Sequence, residues 1–188
     1  MNRGARRGTR KGTRKGTRRG LLIGLLALLA WPVVAAPSGA SETSDIALVL
    51  DRRHRELLVL EGGIERHRYP VAIGRPGWET PVGRFAVSEL VEEPIWVNPA
   101  TGARIQPGPG NPLGSRWIGF ANDCKPRRGF NGQPNLVVHG CASAGFHGTP
   151  QRRSIGQAVS HGCVRLLDEH IRALFELVEL GTPVTVLP

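Results

Sequence analysis

No stretch of this 188-residue chain is apolar for long enough to cross a bilayer: the longest, Leu21 to Ala36, counts sixteen residues against the roughly 20 that a spanning helix needs. No cysteine follows that run, so nothing supports a lipid-modified anchor. No acidic residue occurs among the first 20 positions, where nine of the basic residues fall. With those set aside, the formal net charge of +10 shrinks to about +1, and a polyanion-binding reading, nucleic acid included, loses its support. Only three cysteines occur, Cys124, Cys141 and Cys163, and an odd count leaves one thiol over wherever cysteines pair.

What the first 40 residues do contain is ordered in type. From Arg3 to Arg19 the chain repeats Gly-Thr-Arg-Lys or a close variant, a low-complexity tract with nothing apolar to bury. Leu21 to Ala30 is almost wholly apolar, and Trp31-Pro32 and the small residues Val33 to Ala40 follow. A basic region, a short apolar region and small residues together read as a secretory signal over residues 1–40, cut after Ala35, Ala36 or Ala40. Contact with a membrane is then expected only transiently, through that segment. The remainder, residues 41–188, is near the commonest size of a single domain and is expected to be one. Export would carry the cysteines into an oxidising compartment, where thiols tend to pair.

Beyond a Ser/Gly/Thr-containing linker around Ser38 to Ser44, Ile46 to Leu50 and Leu57 to Leu60 are aliphatic runs of strand length, and Gly62-Gly63 marks a hairpin into a strand from Ile64 to Ile73. Gly74-Arg75-Pro76-Gly77 predicts a turn, and Thr80 to Phe85 leads into a strand through Val87. Five prolines between Glu93 and Pro112 exclude a helix interior or central strand there and predict a long loop. Trp117 to Phe120, Leu136 to His139 and Val184 to Leu187 are further short strands. One helix is expected, from Asp168 as N-cap to Leu180, with Ile171, Leu174, Phe175 and Val178 on one face and Gly181 as its stop. The fold class is mainly β, a β-sandwich or partly closed barrel with one late helix.

Chemistry concentrates just before that helix, in Ser160-His161-Gly162-Cys163-Val164-Arg165. A thiol attacks only as thiolate, a form favoured by a nearby imidazolium or a helix N-terminus. Gly162 permits a tight turn whose backbone N–H groups, with that of Cys163, would face a developing oxyanion. His147, in Gly145-Phe146-His147-Gly148-Thr149, is the best candidate base. No acidic side chain is near it in sequence to orient the ring, so a backbone carbonyl, that of Gly148 for example, would have to hold its Nδ1–H. A buried thiol beside an unrelated imidazole is the competing reading, and spacing alone does not choose between them.

His147-Gly148-Thr149, Ser154-Ile155-Gly156 and Ser160-His161-Gly162-Cys163-Val164-Arg165, taken in order, resemble the signature of the L,D-transpeptidase catalytic domain family. The resemblance extends to Thr80-Pro81-Val82-Gly83-Arg84-Phe85, to Asn111-Pro112-Leu113-Gly114-Ser115-Arg116 and to Gly181-Thr182-Pro183-Val184, and covers most of residues 46–188. It implies a β-rich, cofactor-free and metal-free cysteine acyltransferase acting on peptidoglycan stem peptides in the periplasm or cell-wall space, working as a monomer. By the same resemblance Cys163 is the nucleophile, His147 the base, and the turn of His161, Gly162 and Cys163 the oxyanion hole, with Ser160 bracing it. Arg165 is implied either as a binder of a stem-peptide carboxylate or as one half of a structural salt bridge.

The departure from the family pattern is an insertion at about residues 121–145, holding Cys124, a basic patch and a second His-Gly-Cys at His139-Gly140-Cys141. A Cys124–Cys141 disulfide is expected to close it, leaving Cys163 as the free thiol. Cys141 as nucleophile is the rival, but it lacks the preceding serine, the Val-Arg-Leu and the helix. A zinc site drawn from these cysteines and histidines is a second rival, although the spacings match no familiar structural-zinc pattern. Two further readings stay open beside transpeptidation: an L,D-carboxypeptidase with water as acceptor, and a non-catalytic wall- or metal-binding module on the same scaffold.

Overall fold

The computed structural model describes residues 45–123, 127–130, 133–138 and 142–188. Their strands in chain order are β1 (Ile46–Asp51), β2 (Glu56–Glu61), β3 (Ile64–Pro70), β4 (Ile73–Gly74), β5 (Gly83–Ala86), β6 (Glu89–Glu92), β7 (Trp96–Val97) and β8 (Arg104–Ile105). After these come β9 (Arg116–Asp123), β10 (Arg127–Phe130), β11 (Gln133–Val138), β12 (Ala142–His147), β13 (Ala158–Ser160), β14 (Val164–Arg165) and β15 (Pro183–Leu187). A single α-helix, α1 (Asp168–Phe175), lies between β14 and β15.

Two sheets carry the domain. One has five strands in the order β3-β2-β1-β15-β5 and the other four in the order β14-β12-β9-β6; neither closes into a barrel. Alternation explains which faces pack. In β1, Ile46, Leu48 and Leu50 point inward, joined by Leu57 and Val59 of β2 and Val184 and Val186 of β15. From the second sheet come Ile118, Phe120, Ala144, Phe146 and Val164, and from α1 Ile171 and Leu174. Phe120 stands between Phe85 and Phe146, with ring centroids 5.6 and 4.8 Å away. Gly62 and Gly63 both take positive φ in the turn from β2 to β3, where a Cβ would be strained.

Three expectations need correction. The strand expected from Ile64 to Ile73 ends at Pro70, whose nitrogen cannot donate to a ladder. Val71 N–H then bonds Arg55 O, Ala72 exchanges both backbone bonds with Arg165 at 2.9 Å, and β4 pairs with β13. The chain is thereby drawn from the first sheet past the residues on both sides of Cys163. The helix stops at Phe175 rather than Leu180: the N–H of Leu177 bonds Leu174 O, an i→i−3 closure that ends the α pattern. Nor is Asp168 the N-cap. That position is Leu167, and the Asp168 carboxylate is engaged by Ser115 instead.

The proline-rich loop contains a small hairpin, with β7 paired to β8. It is pinned by buried Asn111, whose Nδ2 donates to the carbonyls of Pro94 (2.8 Å), Ile105 and Gln106 (3.2 Å each). In the insertion, β9 and β12 run on as an antiparallel pair to Asp123 and Ala142, and β10 pairs with β11. Cys124 and Cys141, and so the expected disulfide, lie outside the described residues.

Candidate active site

The segment from Ser160 to Cys163 bends between β13 and β14. Gly162 sits at φ +108°, a backbone state other residues rarely adopt. The buried Ser160 hydroxyl braces the bend from inside, accepting from Gly162 N–H at 3.2 Å and donating to Cys163 O at 2.5 Å. Gly162 N–H is therefore engaged within the turn. Cys163 N–H has no acceptor among the described residues.

Beneath the turn runs the loop from Gly74 to Thr80. Arg75 N–H donates to Ser160 O at 3.1 Å, and Gly74 N–H to the buried Thr80 Oγ1 at 3.0 Å. Buried Trp78 meets the His161 ring edge-on, centroids 4.9 Å apart at 84°. A Cβ on Gly74 would stand 2.0 Å from Trp78 O, so only glycine lets this loop close. Trp78 was not singled out in the sequence, because its contact with His161 joins segments more than eighty residues apart.

Cys163 is partly exposed and is the one free cysteine among the described residues. Its thiol donates to Ser143 O at 3.7 Å. Burial pushes the thiol pKa up, against the opposing pull of the Gly145 amide and the Arg165 guanidinium. His147, at the end of β12, is 4% exposed. Burial drives its pKa down to about 4; the Gly148 carbonyl works against that, the Arg165 charge adds to it, and the Leu113 carbonyl opposes it. Nδ1 lies 2.5 Å from Gly148 O. A carbonyl only accepts, so Nδ1 carries the proton and Nε2 the free lone pair. The Trp117 ring stacks on the imidazole with centroids 6.1 Å apart.

Thiol and imidazole are held along one strand: Cys163 reaches Ser143 and Gly145 of β12, and His147 lies further along it. No hydrogen bond joins the two side chains among the described residues; the thiol is turned toward Ser143 O. Arg165, register partner of His147 on β14, donates from Nη1 to Gln151 Oε1 at 3.1 Å. It forms no ion pair among the described residues, and its buried Nε has no hydrogen-bond partner. Its charge bears on Cys163, His147 and His161 alike. His161 is pushed down to about 4 by burial, then by Arg75 and Arg165. Among the described residues no three His, Cys, Asp or Glu side chains gather as metal ligands would.

A β-rich domain that presents one thiol on a glycine turn, beside a buried neutral imidazole, has the makings of a cysteine acyl-transfer enzyme. Residues 45–186 match the family model of the YkuD L,D-transpeptidase catalytic domain. YqjB of Bacillus subtilis (strain 168) is 32% identical over 157 residues, covering 83% of this chain and 77% of that one. YkuD of Bacillus licheniformis is 30% identical over 64% of this chain, which spans only 52% of it. Among solved structures, an L,D-transpeptidase from Mycobacterium smegmatis has a TM-score of 0.52 at 20% identity, over 77% of this chain and 59% of that one. The catalytic domain of the E. faecium L,D-transpeptidase has a TM-score of 0.52 at 20% identity, over 78% and 99%. At such identities the structures establish a shared fold. The chain belongs to the L,D-transpeptidase catalytic domain family, a family of cysteine transpeptidases that act on peptidoglycan peptides.

Proposed function

We propose that this chain is an exported L,D-transpeptidase that cross-links or remodels peptidoglycan in the periplasm or cell-wall space, with Cys163 as nucleophile and His147 as base. The observation that carries the residue roles is the Nδ1–H···O=C bond from His147 to Gly148, which leaves Nε2 as a free lone pair in a buried site at the end of the strand that the thiol reaches. Export rests on the basic and apolar segment over residues 1–40.

Burial raises the thiol pKa and lowers that of the imidazole, so the resting pair is neutral. The thiol is therefore activated as it attacks, by general-base removal of its proton, rather than stored as a thiolate–imidazolium pair. Cys163 leaves Ser143 O and its sulfur adds to the carbonyl carbon of the L-centre to D-centre peptide bond in a tetrapeptide stem, while His147 Nε2 takes the thiol proton. The tetrahedral oxyanion is met by Cys163 N–H. The C–N bond breaks, His147 returns the proton to the departing D-alanine amine, and a thioester remains on Cys163. An amine of a second stem attacks that thioester and gives its proton to His147; the new C–N bond forms as the C–S bond breaks, and His147 passes the proton to the departing Cys163 sulfur, restoring the neutral pair.

Arg165 is the substrate-binding cation: its half-buried guanidinium, without an ion-pair partner among the described residues, suits a stem-peptide carboxylate, which would also offset the charge that depresses His147.

The test is intact mass after mixing purified protein with tetrapeptide-stem muropeptides, native against Cys163→Ala. An acyl adduct and dimeric product with the native protein alone support the reading. Adduct with release of tripeptide only would make water the acceptor, and neither adduct nor product would overturn it.

A further inference from the structure

The carbonyl that holds the His147 ring belongs to Gly148, and Gly148 is itself held in a tight place. A Cβ there would meet Asp168 Oδ1 at 2.4 Å and Gly114 Cα at 3.2 Å. A Cβ on Gly114, at φ +63°, would meet the same Asp168 Oδ1 at 2.5 Å and Gly148 Cα at 2.7 Å. Two glycine backbones thus touch, with one carboxylate oxygen lodged against both. That carboxylate is fixed on its other sides. Oδ1 accepts from Ser115 N–H at 2.8 Å, and Oδ2 accepts from Ser115 Oγ at 2.9 Å and Arg172 Nε at 3.0 Å.

One backbone carbonyl holds the His147 ring at hydrogen-bond distance, that of Gly148, and the Leu113 carbonyl pulls the ring's pKa in the same direction. Both lie on the segments that Asp168 clamps: Gly148 by direct packing, Leu113 through its neighbours Gly114 and Ser115. Asp168 reaches neither ring nitrogen. It stands 21 positions from His147 in the chain, and what it packs against on the His147 side is the backbone of Gly148 and Gly114.

We infer that Asp168 is a positioning residue for the base, acting through Gly148 and the loop of residues 113–115 to hold the His147 ring in the tautomer that leaves Nε2 free. It takes the place in space of the acidic side chain that His147 lacks in sequence, but works by fixing carbonyls rather than by contributing charge to the ring. The inference rests on the proposed role of His147. An amide keeps both Ser115 contacts, because an asparagine Oδ1 still accepts from Ser115 N–H and its Nδ2 donates to Ser115 Oγ, and it loses only the bond from Arg172 Nε, which an amide N–H cannot accept.

The experiment compares the native chain with Asp168→Ala, Asp168→Asn and Glu169→Gln in the muropeptide assay, alongside ¹⁵N spectra of the histidine rings with His147 assigned from a His147→Gln sample. Expected is a loss of about tenfold or more in kcat for Asp168→Ala with KM nearly unchanged. Its His147 Nδ1–H resonance should be lost or in tautomer exchange. Asp168→Asn should recover much of kcat and the single tautomer, and Glu169→Gln, which removes an exposed carboxylate paired with Arg152 outside the clamp, should leave both as in the native chain. Should Asp168→Ala fail to fold, Ser115→Ala takes its place, and an intermediate kcat loss with the same spectral change is expected. A folded Asp168→Ala, or Ser115→Ala in its place, with native kcat and tautomer would overturn the inference, and so would a loss in Glu169→Gln equal to that in Asp168→Ala. An inactive native chain would instead count against the base assignment itself.

Discussion

Acidification should unfold this protein through His147 before it does so through any carboxylate. The ring is buried with its pKa down at about 4, whereas in the unfolded chain it returns to the ordinary 6.5. Between those values the unfolded state binds a proton that the folded state refuses, so stability falls as pH drops through 6.5 and goes on falling until pH 4. Above pH 6.5 both states are neutral and the contribution vanishes. At 1.36 kcal/mol per pKa unit, the loss reaches about 2.5 kcal/mol at pH 4.5 and about 3 kcal/mol at pH 4, a large share of a typical domain's stability. His161 adds a smaller penalty of the same sign, reduced because its ring is only half-buried. The assay is urea unfolding at pH 7, 6, 5 and 4.5, for the native chain and for His147→Gln, which removes the ionisable group. The two differ in absolute stability through packing, so the quantity compared is the change with pH. The native chain should lose about 2.5 kcal/mol more than His147→Gln across that range. Parallel pH profiles would refute the claim that a buried neutral imidazole is what acid attacks.

Gly74→Ala should cost about 2–3 kcal/mol in urea unfolding, because the new Cβ meets only backbone, Trp78 O at 2.0 Å and Thr80 N at 2.6 Å, and the loop under His161 has to shift; a loss under about 0.5 kcal/mol would contradict the close packing. Ser160→Ala strands Gly162 N–H and Cys163 O, and should lower stability by about 1–3 kcal/mol together with the adduct-forming rate, both read on one preparation; native stability would show that the hydroxyl does not brace the turn. Cys163→Ala should give no acyl adduct by intact mass, and Asp168→Ala should lower kcat without moving KM.

Much of the molecule was legible one segment at a time. Ile46 to Leu50 alternates inward and outward as its composition suggests, and Gly62-Gly63 makes the hairpin it announces, because strand alternation and positive φ are properties of a few adjacent residues. The order of motifs around His147 and Cys163 also named the family. β12 escaped notice: Ala142-Ser143-Ala144-Gly145 has little strand character, and these residues are strand only because β9 and β14 flank them. Asp168 was misread for a related reason. A local rule made it an N-cap, while a bond to Ser115, 53 positions away, competes for the same carboxylate and wins.

By itself, then, the sequence determined which side chains are available for chemistry: one thiol in a glycine turn, and one imidazole without a neighbouring acid. Only the tertiary structure decided their state. Burial is set by what packs around a group from distant parts of the chain, and it is burial that keeps the His147 imidazole neutral, favours the Cys163 thiol over its thiolate, and leaves the Arg165 Nε without a partner among the described residues.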